Sequence, residues 1–153
     1  MLVKDFMTRK VVTLSPNDTL KKAIDKLTKN KISGAPVVEN GKIVGLISEK
    51  DILEAIDVYI PKIHFDTDNF FAIILASIKS KDEFETIKKQ IIKAGKILVK
   101  DVMKKDVVTI SPERKIFEAA RLMNKFKINR IPVVKNGKLV GIIARADIIR
   151  ALG

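Results

Sequence analysis

Apolar positions in the first third of the chain follow a helical period and then a strand period. One apolar stripe with spacings of three and four residues predicts the buried face of a helix: Leu20, Ala23, Ile24 and Leu27. Ser15-Pro16 stands before this stripe, and a serine followed by a proline is typical of a helix start. The β-branched run 11–14 predicts a short strand ahead of it.

Two further strands and a second helix complete this unit. Residues 35–38 and 43–47 are apolar runs separated by Asn40-Gly41. Asn-Gly predicts a tight type I′ hairpin turn, because both central residues of that turn take positive φ. Ser48 then begins a helix that continues through Leu53 and Ala55. The predicted order is strand, helix, strand, strand, helix.

The whole unit occurs twice. Residues 3–53 and 99–149 align without a gap at an offset of 96, and 24 of the 51 aligned positions are identical. The chain is therefore a tandem duplication. We expect a mixed α/β fold of two β-α-β-β-α units with pseudo-two-fold symmetry and a helical insert between them. The expected boundaries are 1–57 for the first unit, 58–98 for the insert and 99–153 for the second unit.

The insert has no counterpart in the repeat. Its apolar residues predict two short amphipathic helices, the first of them around Phe70 and Phe71. We expect a helical linker that packs on the two units or on a partner chain. This amount of apolar surface in a small protein favours a homodimer. His64, the only histidine of the chain, is expected to be a surface or packing residue.

Composition excludes several classes of protein. The chain has no cysteine and one histidine, which excludes a disulfide scaffold and a cysteine nucleophile and disfavours a histidine triad. The sequence contains no Walker-type glycine loop and no metal-ligand cluster, so we expect no enzyme activity, no metal and no cofactor. The first charged residue is Lys4, so the start of the chain does not have the pattern of a signal peptide. No apolar run approaches the length of about 20 residues that a membrane span needs. We expect a soluble, cytoplasmic protein without a membrane partner.

The net charge of +12 is unevenly distributed along the chain. Residues 99–153 carry 13 lysines and arginines against 5 acidic side chains, whereas residues 54–98 carry 7 of each. Such asymmetry indicates an anionic partner. A lysine-rich surface of the kind found in heat-adapted proteins explains the excess equally well.

An aspartate lies in the first turn of the last helix of both repeats, in Ser48-x-x-Asp51 and in Ala144-x-x-Asp147. Free backbone N–H groups and the helix dipole favour an anion in this first turn. An ionised carboxylate can accept hydrogen bonds from both hydroxyls of a ribose. Ser-x-x-Asp is also a helix-capping arrangement, which is the alternative interpretation. Gly45 ahead of the first motif allows a close backbone approach.

Each repeat resembles the cystathionine-β-synthase (CBS) domain, and the pair resembles a Bateman module. The resemblance rests on the Val-x-Asp-x-Met start, the Ser-Pro, the x-Pro-Val-Val strand, the Asn-Gly hairpin and the segment 45–51, in this order. It implies a pseudo-two-fold module with two clefts between its halves. Such clefts bind AMP, ADP, ATP, S-adenosylmethionine or methylthioadenosine, and the pairs commonly dimerise into a flat disc.

The resemblance also implies site residues. Asp51 and Asp147 would bind ribose, and the residues near sugar and phosphate would be Ser48, Arg130 and Arg145. The residues expected to line the clefts are Thr13, Ala35, Thr109 and Ile131. Helix capping, core packing and turn hydrogen bonding are the alternatives for these positions. The basic second half predicts that di- and triphosphates favour a cleft lined by Asp147 and Arg130, with the first cleft weaker or empty, unless Arg130 serves the opposite cleft.

The leading hypothesis is a regulatory module that binds an adenosine-containing ligand and signals to an unidentified partner protein. The alternative is a nucleic-acid-binding protein that uses the basic surface, with the pair as scaffold or sensor. An aromatic content of 5% disfavours the alternative, because aromatic residues supply the platforms on which bases stack.

Overall fold

The computed structural model describes residues 1–59 and 95–153, together with residues 85, 89, 92 and 93. The elements of the first half are α1 (Val3–Phe6), α2 (Leu20–Asn30), β1 (Gly34–Glu39), β2 (Lys42–Ser48) and α3 (Glu49–Tyr59). Those of the second half are α4 (Val99–Val102), α5 (Ile116–Phe126), β3 (Arg130–Lys135), β4 (Lys138–Ala144) and α6 (Arg145–Leu152). The helix expected around Phe70 and Phe71, and His64, lie outside the described residues.

Each half is built on one antiparallel hairpin. β1 pairs with β2 and β3 pairs with β4, in the same register and with an irregularity at the same point of each pair. The turn residues Asn40 and Gly41 have φ of 52° and 77°, and the second hairpin repeats both values. The predicted mixed α/β fold of two similar units is confirmed, and so are the positive-φ Asn-Gly turns.

The predicted start of the first long helix is wrong by four residues. α2 begins at Leu20, and the hydroxyl of Thr19 caps it by accepting the Lys22 N–H at 3.2 Å. Ser15-Pro16 instead forms a turn, which the Asp18 carboxylate holds by accepting the Ser15 N–H at 2.8 Å. The Pro16 carbonyl also accepts the N–H of Lys100 from the second half at 3.0 Å. The turn therefore binds the start of the other repeat.

The strand predicted over 11–14 is reduced to a single bridge. Leu14 pairs in parallel with Val37 of β1, through one hydrogen bond at 3.0 Å to the Pro36 carbonyl and one at 2.8 Å from the Val38 N–H. The β-branched residues before Leu14 form no ladder. Ile110 makes the same bridge to β3 in the second half.

The opening segment of each repeat packs into the opposite half. Val3 and Met7 belong to the hydrophobic core of the second half, and Val99 belongs to the core of the first. Paired backbone hydrogen bonds of 2.9 Å join Thr8 to Ile142 of β4, and the equivalent bonds join Lys104 to β2. The hydrophobic core of each half therefore includes the opening segment of the other half.

The glycine of each second strand makes room for this exchange. A Cβ atom on Gly45 would lie 2.8 Å from the Cγ of Met103 and 3.0 Å from the Lys104 carbonyl oxygen. A Cβ atom on Gly141 would meet Met7 in the same way. The close approach expected at Gly45 is therefore made by a methionine of the other half. Within the ranges 1–59 and 95–153, no helix has the length and apolar character needed to span a membrane.

Candidate functional site

A cleft of about 1000 Å³ lies between the two halves. The first half lines it with the segment between α2 and β1 and with the start of α3. The second half contributes residues 104–108 and 126–130. Its volume is at the upper end of the range of about 300–1,000 Å³ found for small-molecule sites. The polar side chains that define its chemistry are Ser33, Ser48, Asp51, Lys104 and Arg130.

Asp51 is a buried carboxylate, with 4% of its surface exposed. Its Oδ2 accepts two hydrogen bonds of 2.9 Å, one from the Ser48 N–H and one from the Ser48 hydroxyl. The Ser48 hydroxyl in turn accepts the Asp51 N–H at 3.4 Å, which completes a reciprocal cap at the start of α3. Oδ1 lies 3.9 Å from the Lys104 Nζ of the second half. One carboxylate oxygen thus caps the helix, and the other faces a cation across the cleft.

Arg130 extends from the start of β3 into the first half. Its guanidinium donates a hydrogen bond to the hydroxyl of Ser33. Gly34 leaves the space for it, because a Cβ atom there would lie 2.8 Å from the Arg130 Cζ. Burial lowers the pKa of the Arg130 guanidinium, while the negative charges of Glu49 and Asp51 act in the opposite direction. Arg130 therefore shares a cleft with Asp51.

This position of Arg130 differs from one sequence expectation. The pairing of Arg130 with Asp147 in one cleft is wrong, and the opposite-cleft alternative describes the geometry. The reason is the packing of the two halves, which brings the start of β3 against Ser33 and Gly34 of the other repeat. The spacing of residues along the sequence does not show that Arg130 lies against the other repeat.

Asp147 caps α6 as Asp51 caps α3, but its second oxygen has a different partner. It is 7% exposed, and its Oδ2 accepts the Ala144 N–H at 2.8 Å. Its Oδ1 forms an ion pair with the guanidinium of Arg150, one turn further along the helix. Ala144 supplies no hydroxyl. Arg145, also expected near the phosphate, points its Nε to the Ile128 carbonyl at 3.4 Å and does not line the large cleft.

The four expected lining residues all lie outside the large cleft. Ala35 and Ile131 are fully buried and belong to the two hydrophobic cores, which fits their core interpretation. Thr13 is half-buried, and its carbonyl accepts the Lys26 Nζ at 2.7 Å. Thr109 is exposed and lines a smaller pocket of about 410 Å³ on the face of α5.

Of the five polar side chains that define the chemistry of the cleft, two were not expected from the sequence, namely Lys104 and Ser33. Lys104 follows the Val-x-Asp-x-Met segment, and its first-half counterpart is Thr8. The sequence repeat does not show that the Val-x-Asp-x-Met segment of each half packs against the other half. Without that knowledge, Lys104 cannot be placed in the cleft. Ser33 lies directly before Gly34, a position without periodic or motif signal.

Cations outnumber acids around the cleft. Its lysines and arginine are Lys31, Lys50, Lys104, Lys127 and Arg130, and its acids are Glu49, Asp51 and Asp106. A cleft with this excess of positive charge concentrates anionic ligands. In the described part of the chain, no three acidic or histidine side chains are grouped so as to hold a metal ion.

Both halves match the model of the CBS domain family, over residues 3–58 and 99–153. The chain belongs to the CBS domain family, as its repeated motifs indicated. The two matches make this chain a CBS domain pair.

Relatives and solved structures of similar pairs extend this result. An uncharacterized protein of Methanocaldococcus jannaschii, MJ1426, is 38% identical over 99% of this chain and 91% of its own length. The chain also matches longer relatives, and it spans only 39% of the length of one of them. The structure of CBSX2 from Arabidopsis thaliana in complex with AMP superposes with a TM-score of 0.70 at 26% identity, covering 99% of this chain and 96% of that one. The CBS pair of protein MJ0100, in complex with 5′-methylthioadenosine and S-adenosyl-L-methionine, gives 0.71 at 26% identity, covering 100% and 96%.

Proposed function

We propose that this protein is a regulatory module that binds an adenosine nucleotide in the cleft between its halves and is not itself an enzyme. The observation that carries the proposal is that the two carboxylate oxygens of Asp51 have different roles. Its Oδ2 is used by the helix cap, whereas Oδ1 faces the cleft and has Lys104 3.9 Å away. A buried carboxylate with one oxygen directed to a ligand-sized cleft is suited to accept hydrogen bonds from ribose hydroxyls.

The phosphate would be bound on the opposite wall of the cleft. Arg130 offers a planar set of N–H donors, already oriented by its bond to Ser33. Lys104 adds a mobile ammonium group, with 64% of its side chain exposed. Charge-assisted hydrogen bonds of this kind contribute about 1.5–3 kcal/mol each. In this arrangement the sugar is held by the first half and the phosphate by the second.

The charge of the cleft distinguishes between the ligands of similar proteins. CBSX2 binds AMP, and the pair of MJ0100 binds methylthioadenosine and S-adenosylmethionine. Methylthioadenosine has no phosphate for Arg130, and S-adenosylmethionine brings a sulfonium cation into a cleft with excess positive charge. We therefore place AMP, ADP and ATP ahead of the two thio compounds.

A ligand held by both halves can regulate through their relative packing. It shifts an equilibrium between two arrangements only as far as it binds one of them more tightly. The output would reach a partner protein, and a homodimer is the assembly in which we expect it to act. Both the regulated protein and the dimer are part of this proposal.

Thermal melts of ligand-free protein test the proposal. AMP, ADP and ATP should each raise the Tm, and a ligand at 100 times its Kd adds about 2.7 kcal/mol to the free energy of unfolding. Inorganic phosphate is the matched control, because it offers the anion without the nucleoside. The proposal is contradicted if the Tm is raised neither by the nucleotides nor by S-adenosylmethionine or methylthioadenosine. It is also contradicted if phosphate alone produces the same shift in Tm.

Nucleic-acid binding is the second candidate, and one observation favours it. Arg121 and Lys125 of α5 line the smaller pocket together with Arg114, which lies two residues before that helix. A duplex bound there would be held through phosphates, so its affinity should fall steeply as salt increases. Gel-shift titrations at two salt concentrations test this candidate, and absence of binding at low salt would exclude it.

A further inference from the structure

The two helix-capping aspartates differ at the residue one turn after them. Three residues after Asp51 stands Glu54, and three residues after Asp147 stands Arg150. The Glu54 carboxylate lies 3.9 Å from the Lys50 Nζ. The Arg150 guanidinium forms an ion pair with Asp147 itself. The repeat is therefore broken at the position that controls access to the second carboxylate oxygen.

This difference decides how many acceptors each aspartate can offer to a ligand. Asp147 uses Oδ2 for the Ala144 N–H and Oδ1 for Arg150. A ribose hydroxyl at Asp147 would have to displace a guanidinium, and a hydrogen bond between two charged groups is stronger than one from a neutral hydroxyl. At Asp51 the second oxygen has only the Lys104 ammonium at 3.9 Å among the described residues.

The phosphate side of the second site is also weaker in this chain. The repeat counterparts of Arg130 and Lys104 are Gly34 and Thr8, neither of which carries a charge. The positions that would bind a phosphate near Asp51 are thus neutral near Asp147. Both differences act in the same direction.

We propose that Arg150 is a specificity-determining residue that keeps the Asp147 site closed, so that each chain binds one nucleotide, at Asp51. This inference rests on the proposed function, since it assumes that a carboxylate holds the ribose. Its new content is the assignment of Arg150 as an internal competitor for the ribose hydroxyls. An arginine three residues after the aspartate should close either site.

Exchanging the two residues tests this assignment by equilibrium dialysis with AMP. Wild-type protein should bind one AMP per chain, with any second site at least about tenfold weaker. Arg150→Gln should strengthen the second site about tenfold, and adding Asp147→Asn should remove that gain. Glu54→Arg should weaken the first site about tenfold, because it installs the competitor beside Asp51. Each tenfold change corresponds to about 1.4 kcal/mol.

Two control variants separate competition from altered charge or folding. Glu54→Gln removes the same carboxylate without adding a guanidinium, and should bind AMP like wild type. Arg121→Gln is the control for the charge change in Arg150→Gln. It also removes a cation of the second half, but one that is far from Asp147 in the sequence and lines the smaller pocket. Glu54 has 58% of its side chain exposed, so Glu54→Arg should keep the wild-type Tm.

The outcomes distinguish this inference from the proposed function. Two equal sites in wild type, an unchanged second site in Arg150→Gln, or wild-type affinity in folded Glu54→Arg would each overturn the role of Arg150 and leave nucleotide binding in place. Absence of AMP binding to wild type and to every variant would overturn both.

Discussion

Gly45 and Met103 are in contact across the two halves of the molecule: a Cβ atom on the glycine would lie 2.8 Å from the methionine Cγ. The symmetric pair, Gly141 and Met7, repeats this contact. Each half therefore needs the opening segment of the other to fill its core, and the cleft is formed by elements that cannot be separated without exposing these side chains. A ligand in the cleft acts on a tightly coupled pair.

Gly45→Ala should lower the free energy of unfolding by about 1–3 kcal/mol, because the added methyl group overpacks the contact with Met103. Urea denaturation of the purified variant measures it. The double variant with Met103→Ala is the control, since removing the methionine side chain should make the extra methyl group much less destabilising. Additive effects of the two substitutions would show that the contact is not the cause.

Asp51→Asn should weaken AMP binding about tenfold to hundredfold, because a neutral amide replaces the charged acceptor of the ribose. Its carbonyl oxygen can still accept the Ser48 N–H, so the loss of stability should be about 1 kcal/mol. Calorimetric titration and a thermal melt measure the two effects. Asp147→Asn is the matched control, and it should leave AMP affinity unchanged. Equal losses in both variants, or none in either, would contradict the role given to Asp51.

Arg130→Gln should weaken AMP binding about tenfold and leave adenosine binding nearly unchanged, because the guanidinium is assigned to the phosphate. Competition titrations with AMP and adenosine measure the difference. Lys138→Gln, which removes an exposed cation of the same hairpin, is the control for net charge. An equal loss for both ligands would mean that Arg130 acts on the nucleoside or on the packing of the cleft.

Gly34→Ala should reproduce part of the Arg130→Gln effect without touching a charge. The new methyl group would occupy the space of the Arg130 guanidinium and displace it from Ser33. We expect a selective loss of AMP affinity relative to adenosine, measured by the same titrations. Retention of full AMP affinity would show that the bond between Arg130 and Ser33 is not needed to position the guanidinium.

Stability should depend on pH through Asp18. Burial alone would raise the pKa of this carboxyl, but the hydrogen bonds from Lys22 and Ser15 and the nearby positive charges outweigh it and hold the pKa below its ordinary value of 3.8. A carboxyl with a lowered pKa stabilises the fold at pH values above its unfolded-state pKa, and this stabilisation is lost as pH falls through the folded-state pKa.

Urea denaturation of wild type and Asp18→Asn measures this dependence. The free energy of unfolding of wild type should exceed that of the variant at pH 7, and the difference should shrink as pH falls below about 4. A difference that stays constant down to the acid range would assign the effect of Asp18 to packing and not to its charge.

The sequence predicted what local pattern and repetition can report. The duplication, the hairpins with Asn40-Gly41 turns and the cap at Ser48 and Asp51 follow from periods, turn chemistry and helix-start residues. The helix start at Leu20 was missed because Ser15-Pro16 is used to bind the opposite repeat. The place of Arg130 was missed for a related reason, since its partner Ser33 is 97 residues away in the chain.

The crystal structure of the protein with AMP at saturating concentration tests the central claim most directly. We predict one nucleotide in the cleft between the halves, with its ribose hydroxyls on the Asp51 Oδ1 and its phosphate on Arg130 and Lys104. AMP bound elsewhere, with Asp51 in contact only with its helix cap, would contradict this account, and so would an empty cleft at saturation.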